Sequence, residues 1–153
     1  MADADNSPVV TVCVPVYNGA RFVAATLASA LAQTFGGVRV LVSIEPCDDA
    51  SLEICRSFER DPRVRIIAQQ ERRGWVGNTN ELIRRAETDH YCILPQDDLI
   101  DPRYLEVLHD RLVRYPAAVC AYTDLRTFGG DGKTVEQLSL TGPSLRRIVT
   151  FLL

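Results

Sequence analysis

Residues 91–102 read Tyr91-Cys-Ile-Leu-Pro-Gln-Asp-Asp-Leu-Ile-Asp-Pro102. The run begins as an apolar segment typical of a buried strand and stops at two adjacent carboxylates, Asp97 and Asp98. Two like charges at a strand end repel each other unless a cation lies beside them. Carboxylates are preferred ligands of Mg2+ or Mn2+, usually together with substrate phosphates. We therefore predict a divalent-metal site at Asp97 and Asp98, and a helix cap at Asp101 before the proline.

The rest of the chain alternates between β-prone and helical segments. Strands are predicted at residues 9–15, 38–44, 64–68, 91–94 and 117–122, and helices near 22–33, 51–58, 74–86 and 102–114. This order predicts an α/β fold, a three-layer α/β/α arrangement around an open, mostly parallel, Rossmann-like sheet. In such a sheet, ligands bind outside the carboxyl ends of the strands.

Composition narrows the function classes. The chain has 153 residues, 46% of them hydrophobic, and a formal net charge of −3, which argues against a nucleic-acid partner. No apolar run approaches the roughly 20 residues of a membrane span. The five cysteines show no CxxC spacing, and the acidic start lacks a signal peptide. A reduced, cytoplasmic protein is predicted, in contact with the inner face of a membrane only through partners.

Two further strand ends carry residues that suit a nucleotide. The first strand runs into Pro15-Val16-Tyr17, and because proline ends ladder pairing, the backbone beyond it and the Tyr17 ring are expected to face a base. The second strand ends at Glu45, with Asp48 close behind. Either acid is able to accept the N–H of a pyrimidine. We prefer Glu45 because it terminates the strand, and Asp48 is the alternative.

The motifs together resemble a known family. Val14-Pro-Val-Tyr-Asn-Gly19, Asp48-Asp-Ala-Ser51, the Gly74…Asn80…Ala86 helix and Gln96-Asp-Asp98…Asp101-Pro102 look like family 2 glycosyltransferases with the GT-A fold. The resemblance covers about residues 9–125 in order and spacing. It implies that the first two strand ends hold the nucleotide base, and that a DxD-like motif holds the ribose and a metal on the diphosphate.

The resemblance also implies roles for single residues. Asp97 falls on the metal-binding acid, and Gln96 falls on the middle position of the motif, near the ribose. Pro95 replaces the first acid of the motif, whereas the metal-binding acid is retained. Asn80 matches an asparagine of the family helix before the metal-binding strand, and a plain helix-surface role for it stays equally open. Trp75, the only tryptophan, is expected to pack at the start of this helix rather than to stack on a sugar.

The family's general base lies well past the DxD-like motif. It is therefore expected beyond Leu153, with Asp124 as the candidate within the chain. Residues 1–8 are predicted to be a flexible leader, 9–125 a nucleotide-sugar-binding domain, and 126–153 the start of an incomplete acceptor-side region. Such a chain is expected to bind donor but turn over poorly, and its apolar C-terminal end is expected to favour homo-oligomers.

The predicted function is that of an inverting glycosyltransferase domain. It would use a nucleotide-diphosphate sugar, in the first place a UDP-sugar, with Mg2+ or Mn2+, and a saccharide or lipid-linked acceptor hydroxyl. A nucleotidyltransferase would show a Gly-rich basic loop where this chain has Asn18-Gly-Ala-Arg21. A receiver-like signalling module would need an acid pair at the end of the first strand, where Pro15 and Val16 stand. A non-catalytic nucleotide-binding or assembly module stays open.

Overall fold

The computed structural model of the chain describes residues 9–129 and 133–138. The predicted leader, residues 1–8, and the predicted apolar C-terminal end lie outside these residues. The described chain forms two compact units, one up to Glu106 and one from Val107. None of the helices in the described ranges has the length and apolar character needed to cross a membrane.

Six strands and four helices are present in the described part of the chain. The strands are β1 (Val10–Val16), β2 (Val38–Ile44), β3 (Val64–Ala68), β4 (His90–Ile93), β5 (Leu125–Phe128) and β6 (Thr134–Leu138). The helices are α1 (Val23–Leu31), α2 (Ser51–Ser57), α3 (Gly74–Arg85) and α4 (Tyr104–Arg114), with one 3-10 turn, Phe58–Arg60, after α2.

The first four strands form one parallel sheet in the order β3-β2-β1-β4. Val10 of β1 lies opposite Val38 of β2 on one side and opposite His90 of β4 on the other. All seven residues of β1 are buried, as expected for a central strand covered on both faces. The α/β fold is confirmed. Because β2 and β3 extend the sheet to one side of β1 and β4 lies on the other, a ligand crevice is expected at the carboxyl ends of β1 and β4.

Apolar side chains of β1 alternate between the two faces of the sheet. Val12 and Val14 belong to the larger core, which also includes Leu27 of α1. Cys13 points to the opposite face and packs with Leu41 and with Leu82 of α3. Burial, and to a smaller extent the nearby Cys92, raises the pKa of the Cys13 thiol to about 12, so Cys13 serves as a small core residue.

The start of α4 is stabilised from outside the helix. Asp101 Oδ1 accepts the Arg103 N–H at 2.9 Å, and the Gln33 side chain bonds both the Asp101 C=O, at 2.8 Å, and the Leu105 N–H, at 3.0 Å. The helix begins at Tyr104, two residues later than predicted, so the Asp101 carboxylate bonds the residue before the helix, and the side chain that caps a helical N–H is that of Gln33.

The predicted fifth strand at residues 117–122 is wrong. Ala118 N–H donates to the Tyr115 C=O in a turn, and the side chain of Val119 is 97% exposed. A β-prone run forms a strand only where a partner edge and an apolar surface receive it, and this run pairs with no strand of the described chain. Asp124 therefore does not end a strand of the parallel sheet. It is exposed and directly precedes β5, which pairs with β6 in an antiparallel hairpin.

Candidate functional site

A pocket of about 300 Å3 opens where β1, β2 and β4 end. Its volume lies at the small end of the range for ligand sites, about 300–1,000 Å3. The pocket occupies the crevice expected where the strand order reverses. It is lined by Pro15, Val16, Tyr17, Glu45, Arg72, Gly74, Trp75, Asn78, Pro95, Gln96 and Asp97.

Pro15 ends strand pairing on one side of β1 only. The Cys13 C=O accepts the Leu94 N–H at 2.9 Å, so Cys13 faces β4. Pro15 lies two residues further on and faces β4 as well, but it has no N–H to donate. Toward β2 the pairing continues, because the Val16 C=O accepts the Glu45 N–H at 3.0 Å. The chain beyond Pro15 is therefore released from β4 but stays joined to the end of β2.

The side-chain amide of Gln96 replaces the missing pairing between β1 and β4. Its Oε1 accepts the Tyr17 N–H at 2.9 Å, and its Nε2 donates to the Tyr17 C=O at 3.0 Å. Thr26 Oγ1 holds the Gln96 C=O at 2.6 Å. The expectation of a free backbone after Pro15 is therefore wrong for Tyr17. Since both polar groups of the amide are engaged, the geometry gives Gln96 a positioning role, and its ribose contact stays a prediction.

A second set of bonds joins the loop after β1 to the loop after β2. Ser51 Oγ accepts the Gly19 N–H at 2.8 Å and donates to Asp49 Oδ1 at 2.5 Å. Asp49 Oδ2 accepts the Ala20 N–H at 3.0 Å. The Ser51 hydroxyl and then the Ala20 amide lower the pKa of Asp49, which keeps this acceptor ionised. The backbone that carries Tyr17 is thus fixed from two sides.

The two candidate base-reading acids lie in different surroundings. Glu45 is 4% exposed and lines the pocket, and its Oε1 accepts the Arg73 N–H at 2.6 Å. Asp48 is exposed and outside the lining, and its N–H donates to Asn18 Oδ1 at 3.0 Å. The structure therefore brings Glu45, and not Asp48, to the pocket. The contact of either acid with a base stays a prediction.

The start of α3 supplies a wall of the pocket that the sequence did not predict. The guanidinium of Arg72 lies over the Tyr17 ring, 4.0 Å from its centroid. Trp75 is 56% exposed, so the prediction that it packs at the helix start is wrong. Arg72 and Trp75 follow the carboxyl end of β3, and this position was the available signal for a ligand-facing role.

The asparagine that faces the pocket is Asn78. It is 2% exposed, and its Nδ2 donates to the Ser43 C=O at 2.9 Å, while its Oδ1 has no hydrogen-bond partner among the described residues. Asn80 is exposed on α3 and lies outside the pocket lining, and its binding role stays a prediction. Asn78 stands four residues before the buried Leu82, so the two residues share a face of α3. This helical spacing was the signal in the sequence that Asn78 is buried.

Asp97 and Asp98 provide the carboxylates expected for a metal. Asp97 is exposed and lines the pocket. Although Asp98 is largely exposed, the burial of part of it and the neighbouring charge of Asp97 raise its pKa. Residues 9–129 and 133–138 contain no cluster of three acids, histidines or cysteines that would enclose a metal alone. This donor set fits a Mg2+ or Mn2+ ion that takes its other ligands from phosphate and water.

Comparison with known proteins identifies the family by sequence. A family model described as Glycosyl transferase family 2 matches residues 11–150. Glycosyltransferase GlyA of Streptococcus pneumoniae is 32% identical over 111 residues, which are 72% of this chain and 16% of GlyA. Succinoglycan biosynthesis protein ExoO of Rhizobium meliloti is 32% identical over 135 residues, 88% of this chain and 38% of ExoO. The chain thus spans well under half the length of these relatives.

Solved structures agree on the fold. The structure of S. aureus TarS 1-349 in complex with UDP has a TM-score of 0.66 at 21% identity, covering 71% of this chain and 33% of that one. Mannosyltransferase PcManGT from Pyrobaculum calidifontis, in complex with GDP-Man and Mn2+, has a TM-score of 0.62 at 25% identity, covering 74% and 33%. Since the family model spans most of the sequence and relatives reach 32% identity, the chain belongs to glycosyl transferase family 2.

Proposed function

We propose that this domain binds the donor of an inverting glycosyltransferase, a nucleotide-diphosphate sugar and in the first place a UDP-sugar. The observation that carries the proposal is the pocket, which has Glu45 after β2 and Asp97 after β4 as lining acids, on either side of β1. A nucleotide diphosphate is itself asymmetric, with hydrogen-bond donors on the base and charge on the phosphates. One carboxylate that accepts a hydrogen bond from the nucleobase and a second carboxylate, on the other side of β1, that binds a cation would match this asymmetry.

Glu45 is the proposed reader of the base. One of its oxygens already accepts the Arg73 N–H, and a carboxylate has further lone pairs for a second donor. Uracil offers an N–H at its Watson–Crick edge, whereas cytosine offers an acceptor at the same position. Among proteins of the same fold, TarS was solved with UDP and PcManGT with GDP-Man, which supports a nucleotide as the ligand of this domain.

The metal is proposed at Asp97, with Asp98 as the second candidate ligand. The exposure of Asp97 inside the pocket supports this role. Partial burial and then the Asp97 charge raise the pKa of Asp98, and a cation would relieve the second of these by reducing the repulsion between the two carboxylates. When bound, a divalent ion supplies neutralising charge for the departing diphosphate. Asp97 and Asp98 would position the diphosphate through the bound ion. Gln96, which bonds the Tyr17 backbone, would fix the position of Asp97 relative to Tyr17.

Transfer would proceed by in-line attack of an acceptor hydroxyl, from a saccharide or a lipid-linked saccharide, at the anomeric carbon, with inversion. A carboxylate base would take the proton of that hydroxyl, and Asp124 remains the candidate within the chain.

Calorimetric titration of the chain with UDP, GDP and CDP in the presence of Mn2+ tests the donor assignment. UDP should bind more tightly than CDP, because the ring nitrogen that carries an N–H in uracil presents an acceptor to Glu45 in cytosine. Equal affinity for UDP and CDP would contradict base reading by Glu45, and failure to bind UDP or GDP would contradict the proposed function itself.

A further inference from the structure

Trp75 exposes a large ring inside the pocket. Of the two aromatic side chains that line the pocket, Trp75 is 56% exposed and Tyr17 is half-buried. Ligand pockets combine aromatic walls with a few polar groups that orient the ligand. An indole ring left open at such a place is a surface on which a planar group is able to stack.

The turn that presents Trp75 has a fixed backbone. The buried Glu45 side chain holds the Arg73 N–H, and Gly74 has a φ of +70°, which favours glycine. Gly77 allows the close approach of this turn, because a Cβ there would lie 2.7 Å from the Cβ of Arg73. Trp75 is therefore held at the pocket by an ordered element, so little ordering of the backbone is required when a ligand binds.

The neighbours of Trp75 show which wall of the pocket is open to a ligand. The Arg72 guanidinium already covers one face of the Tyr17 ring. Asn78 lies three residues after Trp75 on α3, lines the same pocket and is 2% exposed, and its Oδ1 has no partner within the described residues. Buried polar atoms in native proteins normally have a protein or water partner. The described residues thus leave the Asn78 Oδ1 acceptor unused next to the exposed ring of Trp75.

Two hydrogen bonds place the wall formed by Trp75 and Asn78 on the β2 side of the pocket. Glu45, directly after β2, accepts the Arg73 N–H, and the Ser43 C=O of β2 accepts from Asn78. Asp97 follows β4, beyond β1. The diphosphate belongs near Asp97, so the planar group that reaches Trp75 is the base. We infer that Trp75 stacks on the nucleobase of the donor, an inference that rests on the proposed function and adds a recognition residue to it.

Tryptophan fluorescence gives a direct readout, because Trp75 is the only tryptophan of the chain. Uridine, which carries the base without phosphate, should quench the emission at saturation as UDP does. Glucose 1-phosphate should leave the emission unchanged. Quenching by glucose 1-phosphate but not by uridine would overturn the inference in favour of sugar stacking.

Substitution and calorimetry separate this inference from the proposed function. Trp75→Ala should weaken UDP binding about 5- to 150-fold, the range that base–aromatic stacking spans, and Trp75→Phe should recover most of that loss. Tyr115→Ala, which removes an equally exposed ring outside the pocket lining, should change nothing. UDP binding by the wild-type chain with no loss in Trp75→Ala would overturn the inference alone. Absence of UDP and GDP binding by the wild-type chain would overturn both.

Discussion

The side-chain amide of Gln96 forms two hydrogen bonds with the backbone of Tyr17, at 2.9 and 3.0 Å. The two residues are 79 positions apart. Pro15 has no N–H to donate to β4, and Pro95, after β4, lacks one as well. The Gln96 amide therefore joins the segments that follow β1 and β4, where main-chain pairing stops. Because Asp97 directly follows Gln96, the same contact sets the position of the proposed metal ligand relative to Tyr17.

Removing the Gln96 amide should loosen this end of the sheet. Gln96→Ala leaves the Tyr17 N–H and C=O without their partner, and we expect a loss of about 1–3 kcal/mol in the free energy of unfolding, measured by urea denaturation. UDP affinity should fall as well. Gln70→Ala, at an exposed glutamine outside the pocket lining, is the control and should leave both quantities unchanged. Equal stability of the two variants would remove the positioning role of Gln96.

Gly19 makes room for Gln96. A Cβ at Gly19 would lie 2.4 Å from Gln96 Oε1, whereas a Cβ at Gly36 would meet no atom within 4 Å. Gly19→Ala should therefore displace the amide and destabilise the chain, and Gly36→Ala should not. In a double-mutant cycle the effects of Gly19→Ala and Gln96→Ala should be far from additive, since both break the same contact. Additive losses in urea denaturation would show that Gly19 acts through something else.

Glu45 and Asp48 should differ in their effect on nucleotide affinity. Glu45→Gln keeps an oxygen for the Arg73 N–H but removes the charge, and we expect UDP binding to weaken by about 1–3 kcal/mol. Asp48→Asn removes the charge of an exposed acid outside the lining and should change the affinity little. Calorimetric titration of both variants with UDP measures this difference. A larger loss of affinity in Asp48→Asn than in Glu45→Gln would move the base contact to Asp48.

Asp98 should make stability depend on pH in the metal-free protein. Its pKa is raised in the folded chain, chiefly by partial burial and then by Asp97, so the folded state favours the protonated carboxyl. Ionising Asp98 in the folded chain therefore lowers the free energy of unfolding. This loss is absent below the unfolded pKa of about 3.9, grows as the pH rises toward the folded pKa, and is constant above it. Asp98→Asn should therefore raise the melting temperature in EDTA at neutral pH but not at strongly acid pH.

A matched control separates this effect from a general loss of negative charge. Asp48→Asn removes the same charge elsewhere on the surface and should show no such pH-dependent gain. A gain for Asp98→Asn that is larger at acid than at neutral pH would contradict the assignment, since the sign of the linkage would be reversed.

The sequence predicted those parts of the site that depend on strand ends. Carboxyl ends of parallel strands meet at one edge, so Tyr17, Glu45 and Asp97 could be placed together without coordinates, and the structure brings all three to one pocket. The limits of β2 and β3 were predicted to the residue, because each is a short apolar run bounded by loops. The apolar run at residues 117–122 failed as a strand, because pairing depends on a partner edge that local sequence does not reveal.

Contacts between distant side chains and backbone were beyond reach of the sequence. Nothing near Gln96 indicates that its amide meets Tyr17, because that contact depends on the register of β1 against β4. That Asn78 rather than the predicted Asn80 lines the pocket depends on the rotation of α3 about its axis, which the packing of Leu82 against the sheet determines. The prediction that Trp75 packs at the helix start failed because the conformation of its turn depends on the distant Glu45 and on the positive φ of Gly74.

The central claim is that Asp97 and a divalent metal together hold the diphosphate of a nucleotide in this pocket. The most direct test is the calorimetric affinity for UDP in Mn2+ and in EDTA, for the wild-type chain and for Asp97→Asn. We expect the wild-type chain to bind UDP at least about tenfold more tightly with Mn2+, roughly 1.4 kcal/mol, and Asp97→Asn to lose that increment while remaining folded. Equal wild-type affinity in Mn2+ and in EDTA would contradict the account.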